Sequence, residues 1–234
     1  MTATLVLVHG GFHGAWCWER VTELLGQSGV PFVAVDLPSS GAHAVPPGDL
    51  HTDARAVTDV VEAIDGEIVL VGHSYGGAVI TEAGLHPKVR HLVYITAMQL
   101  DEGASCITAT PGVDAPVTEI AAALQPGEDP TMVVLDPAIA GPAFYSDCDD
   151  ATLEWAVSRL VPQPMETMTQ CPERIAWRHC ESTYVVCAAD RVVHPIVQRA
   201  LAGRATHCLE WGTGHFPLLS RPDLVAELLS RIAA

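Results

Sequence analysis

The stretch Glu67-Ile-Val-Leu-Val-Gly-His-Ser-Tyr-Gly-Gly-Ala-Val-Ile80 predicts the fold of the whole chain. Its first half is an apolar run typical of a buried strand, and its second half is a small-residue segment typical of a helix. Between them lies Gly72-His-Ser-Tyr-Gly76, a G-x-S-x-G sequence at a strand-to-helix turn, which is tight and tolerates only small neighbours. Such a turn exposes the Ser74 hydroxyl and leaves the first amides of the helix free to bind an anion. Ser74 is therefore a candidate nucleophile, and the alternative is a glycine-rich turn whose serine only caps the helix.

Strand-like and helix-like segments alternate on both sides of this turn. The apolar runs predict strands at residues 4–8, 31–35, 68–71, 91–96, 182–188 and 206–211. Helical spacing of apolar residues predicts helices at residues 16–28, 52–64, from 75 onward, 195–202 and 222–232. Six strands alternating with helices indicate an α/β fold with a doubly wound, mainly parallel sheet.

The alternation fails between residues 101 and 180. Helical patches are predicted near 117–124 and 151–160, but the tract Val161-Pro-Gln-Pro-Met165 cannot be regular helix. We interpret residues 1–100 and 181–234 as the core, and residues 101–180 as an inserted, mostly helical cap or lid. Because insertions of this kind gather at the carboxyl ends of strands, we expect the cap on the same edge as Ser74. The alternative is an independent second domain.

Composition argues against several classes of partner and compartment. The 234 residues include 28 acidic and 12 basic ones, for a formal charge of -16, which disfavours nucleic acid and anionic membranes as partners. No apolar stretch approaches the ~18 residues of a membrane span, and the start of the chain does not resemble a signal peptide. The seven cysteines form no C-x-x-C pair, so neither a zinc site nor a disulfide framework is indicated. We expect a cytoplasmic protein, and leave a homodimer open.

Two residues after later strands can complete a catalytic group with Ser74. A serine hydroxyl needs a base to take its proton and a third group to orient that base. Asp190 follows the strand at 182–188, and His215 lies in a small-residue loop after the last strand. The order Ser, Asp, His is the one expected for this type of turn. We therefore select Asp190 and His215, with four weaker candidates: Asp36, Asp101, His194 and His207.

The loop after the first strand is the expected source of a second anion-binding amide. Its glycines allow a close approach of the backbone, and we select the amides of Gly11 and Tyr75 as the pair. The histidines His9, His13 and His73 flank these features. We interpret them as hydrogen-bonded struts that hold the loops in shape.

Four motifs together resemble a known family. They are His9-Gly-Gly-Phe-His-Gly-Ala-Trp-Cys-Trp18, Gly72-His-Ser-Tyr-Gly-Gly77, Tyr184-Val-Val-Cys-Ala-Ala-Asp190 and Gly214-His-Phe-Pro217. The resemblance is to the α/β-hydrolase superfamily, and within it to the branch that holds plant methyl-ester esterases (methyl salicylate and methyl jasmonate types) and hydroxynitrile lyases. It covers the core on both sides of the insertion and does not extend through residues 101–180.

The resemblance implies hydrolysis of a small carboxylic ester without cofactor or metal. Ser74 would attack the acyl carbonyl with His215 as base, and the amides of Gly11 and Tyr75 would bind the oxyanion. The resemblance also implies an aromatic substrate pocket, although each of these side chains could equally be core packing. The expected lining residues are Phe12, Tyr75, Phe144, Tyr145, Trp155 and Phe216.

Three other functions use the same scaffold: a hydroxynitrile lyase, a cyclase or other non-hydrolytic biosynthetic enzyme, and a small-molecule receptor. In the plant lyases a lysine follows the catalytic histidine and a threonine follows the first-loop histidine. The matching positions here are Phe216 and Gly10, so we expect no lyase activity. The complete Ser, Asp, His set counts against the receptor, and the residues alone do not exclude the cyclase.

Overall fold

The computed structural model describes residues 2–40, 48–110 and 112–234. In these ranges the strands and α-helices follow in the order β1 (Thr4–Val8), α1 (Glu19–Gln27), β2 (Phe32–Val35), α2 (Leu50–Ala63), β3 (Ile68–His73), α3 (Gly76–Ala83), β4 (Val89–Ile95), α4 (Ile120–Ala123), β5 (Leu124–Pro126), β6 (Met132–Leu135), α5 (Pro137–Phe144), α6 (Asp150–Val157), β7 (Gln163–Pro164), α7 (Glu166–Thr169), β8 (Ser182–Cys187), α8 (Pro195–Ala202), β9 (His207–Trp211), α9 (Pro217–Ser220) and α10 (Pro222–Ala233). None of the described helices combines the length and the hydropathy that a bilayer crossing requires.

Six of these strands form the main sheet, and every neighbouring pair is parallel. Their spatial order is β2-β1-β3-β4-β8-β9, with β3 and β4 at the centre. The carboxyl ends of all six strands therefore meet at one edge, where Ser74 follows β3. The predicted six-stranded, doubly wound α/β fold is confirmed.

Helices cover both faces of this sheet. On one face, Val21 and Leu25 of α1 and Leu229 of α10 pack against β1, β3 and β4; on the other, Val57 of α2 and Val79 of α3 pack against the same strands. Each of these five side chains is fully buried. A strand covered on both faces reads as a continuous apolar run, which explains the sequence of β3.

Helix α2 begins before its predicted start at residue 52, because of the way its N-terminus is capped. The helix begins at Leu50 because the Asp49 carboxylate accepts the amide of Thr52 at 2.8 Å, while the Thr52 hydroxyl accepts the amide of Asp49 at 2.6 Å. This reciprocal cap satisfies two backbone amides before the apolar spacing begins.

The segment 101–180 is less helical than expected. The patch predicted near 117–124 contains only the four residues of α4, and Leu124 already belongs to a strand. β5, β6 and β7 form a small antiparallel sheet that the sequence did not predict, because strands of two to four residues show no readable alternation. Helix α5 was also missed because its prolines resemble breaks, although Pro137 lies in the first turn, where proline is tolerated.

Candidate active site

Ser74 lies at the turn between β3 and α3, in a strained backbone conformation. Its φ of 52° falls in the left-handed region, which residues with a side chain rarely adopt. A Cβ at Gly72 would lie 2.6 Å from the carbonyl oxygen of Gly76, and a Cβ at Gly76 would lie 2.6 Å from that of Val8. Glycine is therefore required on both sides of Ser74, for the steric reason expected from the motif.

Asp190 and His215 form a buried hydrogen-bonded pair. Nδ1 of His215 donates to Oδ2 of Asp190 at 2.7 Å, and neither side chain is exposed. Asp190 follows β8, and His215 lies between β9 and α9. Because Nδ1 carries the proton in this arrangement, Nε2 is left as an acceptor. Nε2 is buried and has no hydrogen-bond partner in residues 2–40, 48–110 and 112–234.

Four further groups hold the Asp190 carboxylate. Oδ2 accepts the Thr96 hydroxyl at 2.5 Å and the Gln198 side-chain amide at 3.0 Å, and Oδ1 accepts the backbone amides of Val192 at 2.6 Å and Val193 at 3.0 Å. Sequence reasoning missed Thr96 and Gln198. Both carried a signal: Thr96 directly follows β4, beside the turn that holds Ser74, and Gln198 is a polar residue on the buried face of α8.

His73 connects this pair to Ser74. It precedes Ser74 in the chain, and its Nε2 donates to the backbone carbonyl of His215 at 2.8 Å. The two imidazole rings lie side by side, with centroids 4.8 Å apart. Burial lowers the pKa of His73 well below its ordinary value, which keeps this ring neutral. Asp190 thus holds the ring of His215, and His73 holds its backbone near the turn.

The loop after β1 brings the backbone of Gly11 beside the same turn. A Cβ at Gly11 would lie 3.7 Å from the Cβ of Tyr75, and both residues border one cavity with Ser74. Neither the Gly11 amide nor the Tyr75 amide donates to another residue that the structure describes. Two backbone donors without a described partner therefore belong to residues that border the same cavity.

Two buried histidines shape this loop. Nδ1 of His9 donates to the carbonyl of Gly10 at 2.8 Å, and Nδ1 of His13 donates to the carbonyl of Gly11 at 2.6 Å. Nε2 of His13 accepts the hydroxyl of Tyr145 at 2.7 Å. Burial lowers the pKa of His13 to about 3, so the ring is neutral at ordinary pH. Both histidines have the strut geometry expected for them.

A buried polar network joins the side chain of Tyr75 to the backbone of Phe12. The Asp53 carboxylate accepts the Tyr75 hydroxyl at 2.7 Å and the Ser39 hydroxyl at 2.5 Å. Gln163 donates to Ser39 at 2.9 Å, and its Oε1 accepts the backbone amide of Phe12 at 3.0 Å. Burial raises the pKa of Asp53 to about 6. We call Asp53, Ser39 and Gln163 the Asp53 network. The sequence indicates this network only through Asp53, a carboxylate on the apolar face of α2.

The cavity beside Ser74 has a volume of about 170 Å³ and an apolar wall. Three of the predicted aromatics, Phe12, Tyr75 and Phe144, border it. The remaining lining residues are Gly11, Met98, Cys106, Ile107, Ile120, Leu124, Met168, Val192 and Val193. No Asp, Glu, Lys or Arg side chain is among the described residues that line it. In the same described ranges, no group of three or more His, Cys, Asp or Glu is arranged to hold a metal ion.

The other three predicted aromatics do not border this cavity, which corrects the expectation. Phe216 is fully buried and packs against His13, with ring centroids 4.4 Å apart. Tyr145 is also fully buried, and its hydroxyl is used by His13. Trp155 packs edge-on against Trp16, with centroids 5.1 Å apart. All three therefore pack against other aromatic or histidine side chains and do not line the cavity.

The four weaker candidates have other contacts. Asp36 accepts the amide of Ala15 at 2.6 Å, and Asp101 pairs with an arginine of the insertion. His194 caps α8 through its Nδ1, and His207 is exposed on β9. His215, among the described residues, bonds to Asp190 and to neither of the other two carboxylates.

A family comparison agrees with this fold. The model of the alpha/beta hydrolase family matches residues 5–228, and the chain belongs to that family. This assignment fits the resemblance seen in the four motifs.

The chain has relatives with different activities. It is 25% identical to norfluorocurarine synthase 2 of Strychnos sp., over 97% of this chain and 94% of that protein. It is also 25% identical to methylesterase 17 of Arabidopsis thaliana, over 97% of this chain and 90% of that protein. Among solved structures, a pyrethroid hydrolase from Sphingobium faniae superposes with a TM-score of 0.87 at 23% identity, covering 100% of this chain and 98% of that one. At this identity the last match speaks for the fold alone.

Proposed function

We propose that this protein is a serine hydrolase that cleaves a small, neutral carboxylic ester through an acyl-enzyme. The observation that carries the proposal is the buried pair of Asp190 and His215, 2.7 Å apart, with the backbone of His215 bonded to His73, the residue before Ser74. A buried carboxylate that accepts from Nδ1 leaves Nε2 free as a base, which is the arrangement that activates a serine. The relative named as a methylesterase supports the same class of reaction.

The reaction then follows from the side chains. His215 takes the Ser74 proton as the hydroxyl oxygen attacks the acyl carbonyl, and Asp190 stabilises the imidazolium that forms. The amides of Gly11 and Tyr75 bind the oxyanion of the tetrahedral intermediate. His215 gives its proton to the leaving alcohol, then activates a water that releases the acid and restores Ser74. No step draws on a cofactor or metal.

The cavity favours an uncharged acyl or aryl group. Its lining carries no charged side chain in the described chain, so a charged group would lose water without gaining a partner. Phe12 and Phe144 offer flat apolar contact. A small ester carrying an aryl or short alkyl group fits this chemistry.

Esterase activity is tested with a panel of p-nitrophenyl esters of increasing chain length and of aryl methyl esters. The purified protein should hydrolyse members of the panel, and Ser74→Ala should lower turnover by several orders of magnitude while the circular dichroism spectrum is kept. Activity that survives in Ser74→Ala would contradict the proposal.

The second candidate is a non-hydrolytic biosynthetic enzyme on the same scaffold. The observation in its favour is the relative named as a norfluorocurarine synthase, which matches almost the whole chain at 25% identity. An inert wild type across the full ester panel, combined with covalent labelling of Ser74 by a fluorophosphonate, would favour this candidate. A wild type that neither hydrolyses nor labels would favour a receptor.

A further inference from the structure

A second groove begins where the cavity beside Ser74 ends. The two share four lining residues: Met98, Ile107, Val192 and Val193. The groove has a volume of about 490 Å³, nearly three times that of the cavity. Its other lining residues are Thr108, Thr110, Val113, Ala115, Pro116, Val117, Thr118, Ala121, His194 and Val197. A ligand that leaves the cavity along this wall therefore enters the groove directly.

The groove is uncharged on a strongly acidic protein. Its described lining contains no Asp, Glu, Lys or Arg, although the chain carries 28 acidic and 12 basic residues. Two of its apolar side chains are left in water, since Ile107 is 65% exposed and Val117 is 89% exposed. Exposed apolar surface next to a catalytic cavity is typical of a ligand-binding groove.

The cavity alone is too small for both halves of a larger ester. The cavity volume of about 170 Å³ corresponds to roughly six water molecules at about 30 Å³ each. That is enough space for an aryl ring or a short chain. A methyl ester would use the cavity and leave the groove empty.

We propose that the groove is a second substrate subsite, and that the preferred substrate is a neutral ester with an apolar group on each side of the scissile bond. One group occupies the cavity, and the other extends past Met98 and Val193 into the groove. This inference rests on the proposed ester hydrolysis at Ser74.

The test uses two series of neutral esters: alkyl benzoates from methyl to octyl, and phenyl alkanoates from acetate to octanoate. In at least one series, kcat/KM should rise with chain length, by up to about fourfold for each methylene that becomes buried. Ala121→Trp, which fills the groove from α4, should remove the rise, so that the ratio of kcat/KM between the longest and the shortest ester falls towards one. The matched control is Ala122→Trp, since Ala122 is exposed and lines neither space.

Each outcome decides the point. Hydrolysis that does not depend on chain length in either series would contradict the proposed role of the groove but not the proposed esterase activity. A rise that Ala121→Trp does not reduce would also overturn the groove. Failure to hydrolyse any ester would overturn the proposed function and the subsite with it.

The Asp53 network carries a second, independent inference. It is hydrogen-bonded to the Tyr75 side chain at one end and to the Phe12 backbone, directly after Gly11, at the other. Phe12 itself has a φ of 64°, so its conformation needs support. We infer that Asp53 and Gln163 are positioning residues, which hold the two oxyanion donors at the spacing that the tetrahedral intermediate needs. This step also rests on the proposed hydrolysis.

The test separates positioning from simple stabilisation. Gln163→Met keeps the size of the side chain but removes the acceptor for the Phe12 amide, and Tyr75→Phe removes the hydroxyl bound by Asp53. Both variants should lower kcat by about tenfold or more with KM within twofold, and should weaken binding of an aryl boronic acid, a tetrahedral mimic, to the same degree. The control is Gln170→Met. Gln170 lies in the same segment as Gln163, but it hydrogen-bonds to Leu50 and Asp49 at the start of α2, away from the oxyanion donors.

A loss of melting temperature with unchanged kcat in both variants would show that the network only stabilises the fold. An equal loss of kcat in Gln170→Met would likewise contradict the inference, since that residue touches neither donor.

Discussion

The edge of the main sheet and the segment 101–180 border the same cavity but are built differently. At the edge, the side chains of Asp190 and His215 are fully buried, and the Asp190 carboxylate accepts hydrogen bonds from both His215 and Thr96. In the segment, no described helix exceeds eight residues and no described strand exceeds four. Four of the seven large apolar side chains that stand exposed in the described chain belong to it: Ile107, Val117, Leu124 and Met165.

This difference separates the chemistry from the choice of substrate. At the edge, steric contacts and buried hydrogen bonds fix Ser74, Asp190 and His215 in place, so few substitutions are tolerated there. The segment contributes six of the thirteen described residues that line the cavity, among them Cys106, Ile107 and Met168, through short elements that depend on packing. We therefore expect changes at the edge to affect all esters alike, and changes in the segment to affect some esters more than others.

The largest effect is expected at Asp190. Asp190→Asn should lower kcat by about 10⁴-fold for every ester, because a neutral partner no longer holds His215 in the right tautomer. Steady-state kinetics on a short and a long ester measure this. Asp36→Asn is the control, and its loss should be far smaller, since Asp36 bonds to the Ala15 amide instead. The reverse ranking would contradict the assignment.

A stability effect of about 3 kcal/mol is expected at Asp53. Burial raises its pKa from 3.8 to about 6, so folding favours the protonated acid. The contribution of this carboxyl is fully present below about pH 4 and is lost as the pH rises through 6. A shift of about two units corresponds to about 3 kcal/mol.

Urea unfolding at pH 4.5 and pH 7.5 measures this change. Between these values the wild type should lose more unfolding free energy than Asp53→Asn, which carries no titratable group at that position. Parallel pH profiles for the two proteins would mean that Asp53 does not titrate as described.

A smaller effect tests the contact through which the segment holds the loop of His215. Asp147 accepts the Gly214 amide at 2.7 Å and the Ser220 hydroxyl at 2.9 Å, and so fastens the loop of His215. Asp147→Ala should lower kcat about tenfold or less, equally for short and long esters, because an exposed carboxylate gives up only part of a charged hydrogen bond. The control is Asp150→Ala, an exposed carboxylate three residues away. A loss confined to long esters would mean that Asp147 acts through the substrate pocket.

No cleavage of cyanohydrins is expected. A threonine at position 10 would press on Ser74, since a Cβ there lies 2.9 Å from the Ser74 Cβ, and Phe216 offers no positive charge. We expect no release of cyanide from mandelonitrile above background, as measured by a cyanide assay. Release that disappears in Ser74→Ala would overturn the choice of esterase over lyase.

Much of the edge could be predicted from the sequence because its determinants are local. Glycines around Ser74, apolar runs of four to seven residues, and a carboxylate or histidine just after a strand each leave a readable pattern. The parallel order of the strands then brings these ends together. The structure accordingly places Asp190 and His215 in contact.

The segment could not be predicted in the same way, because its contacts are tertiary. Tyr145 looks like a pocket aromatic in the sequence, as does Phe216 outside the segment, and only packing around His13 shows that both are buried packing residues. Gln163 follows a proline in an irregular tract, and nothing local reveals its bond to the Phe12 amide 151 positions away. The division into core and cap, the cytoplasmic location and a homodimer stay predictions.

The most direct test of the central claim is covalent labelling of the intact protein with a fluorophosphonate, followed by mass spectrometry of its peptides. We expect a single adduct on Ser74, slower labelling in Asp190→Asn, and no adduct in Ser74→Ala. An adduct on another residue, or labelling of Ser74→Ala at the wild-type rate, would contradict the claim that Ser74 is the nucleophile.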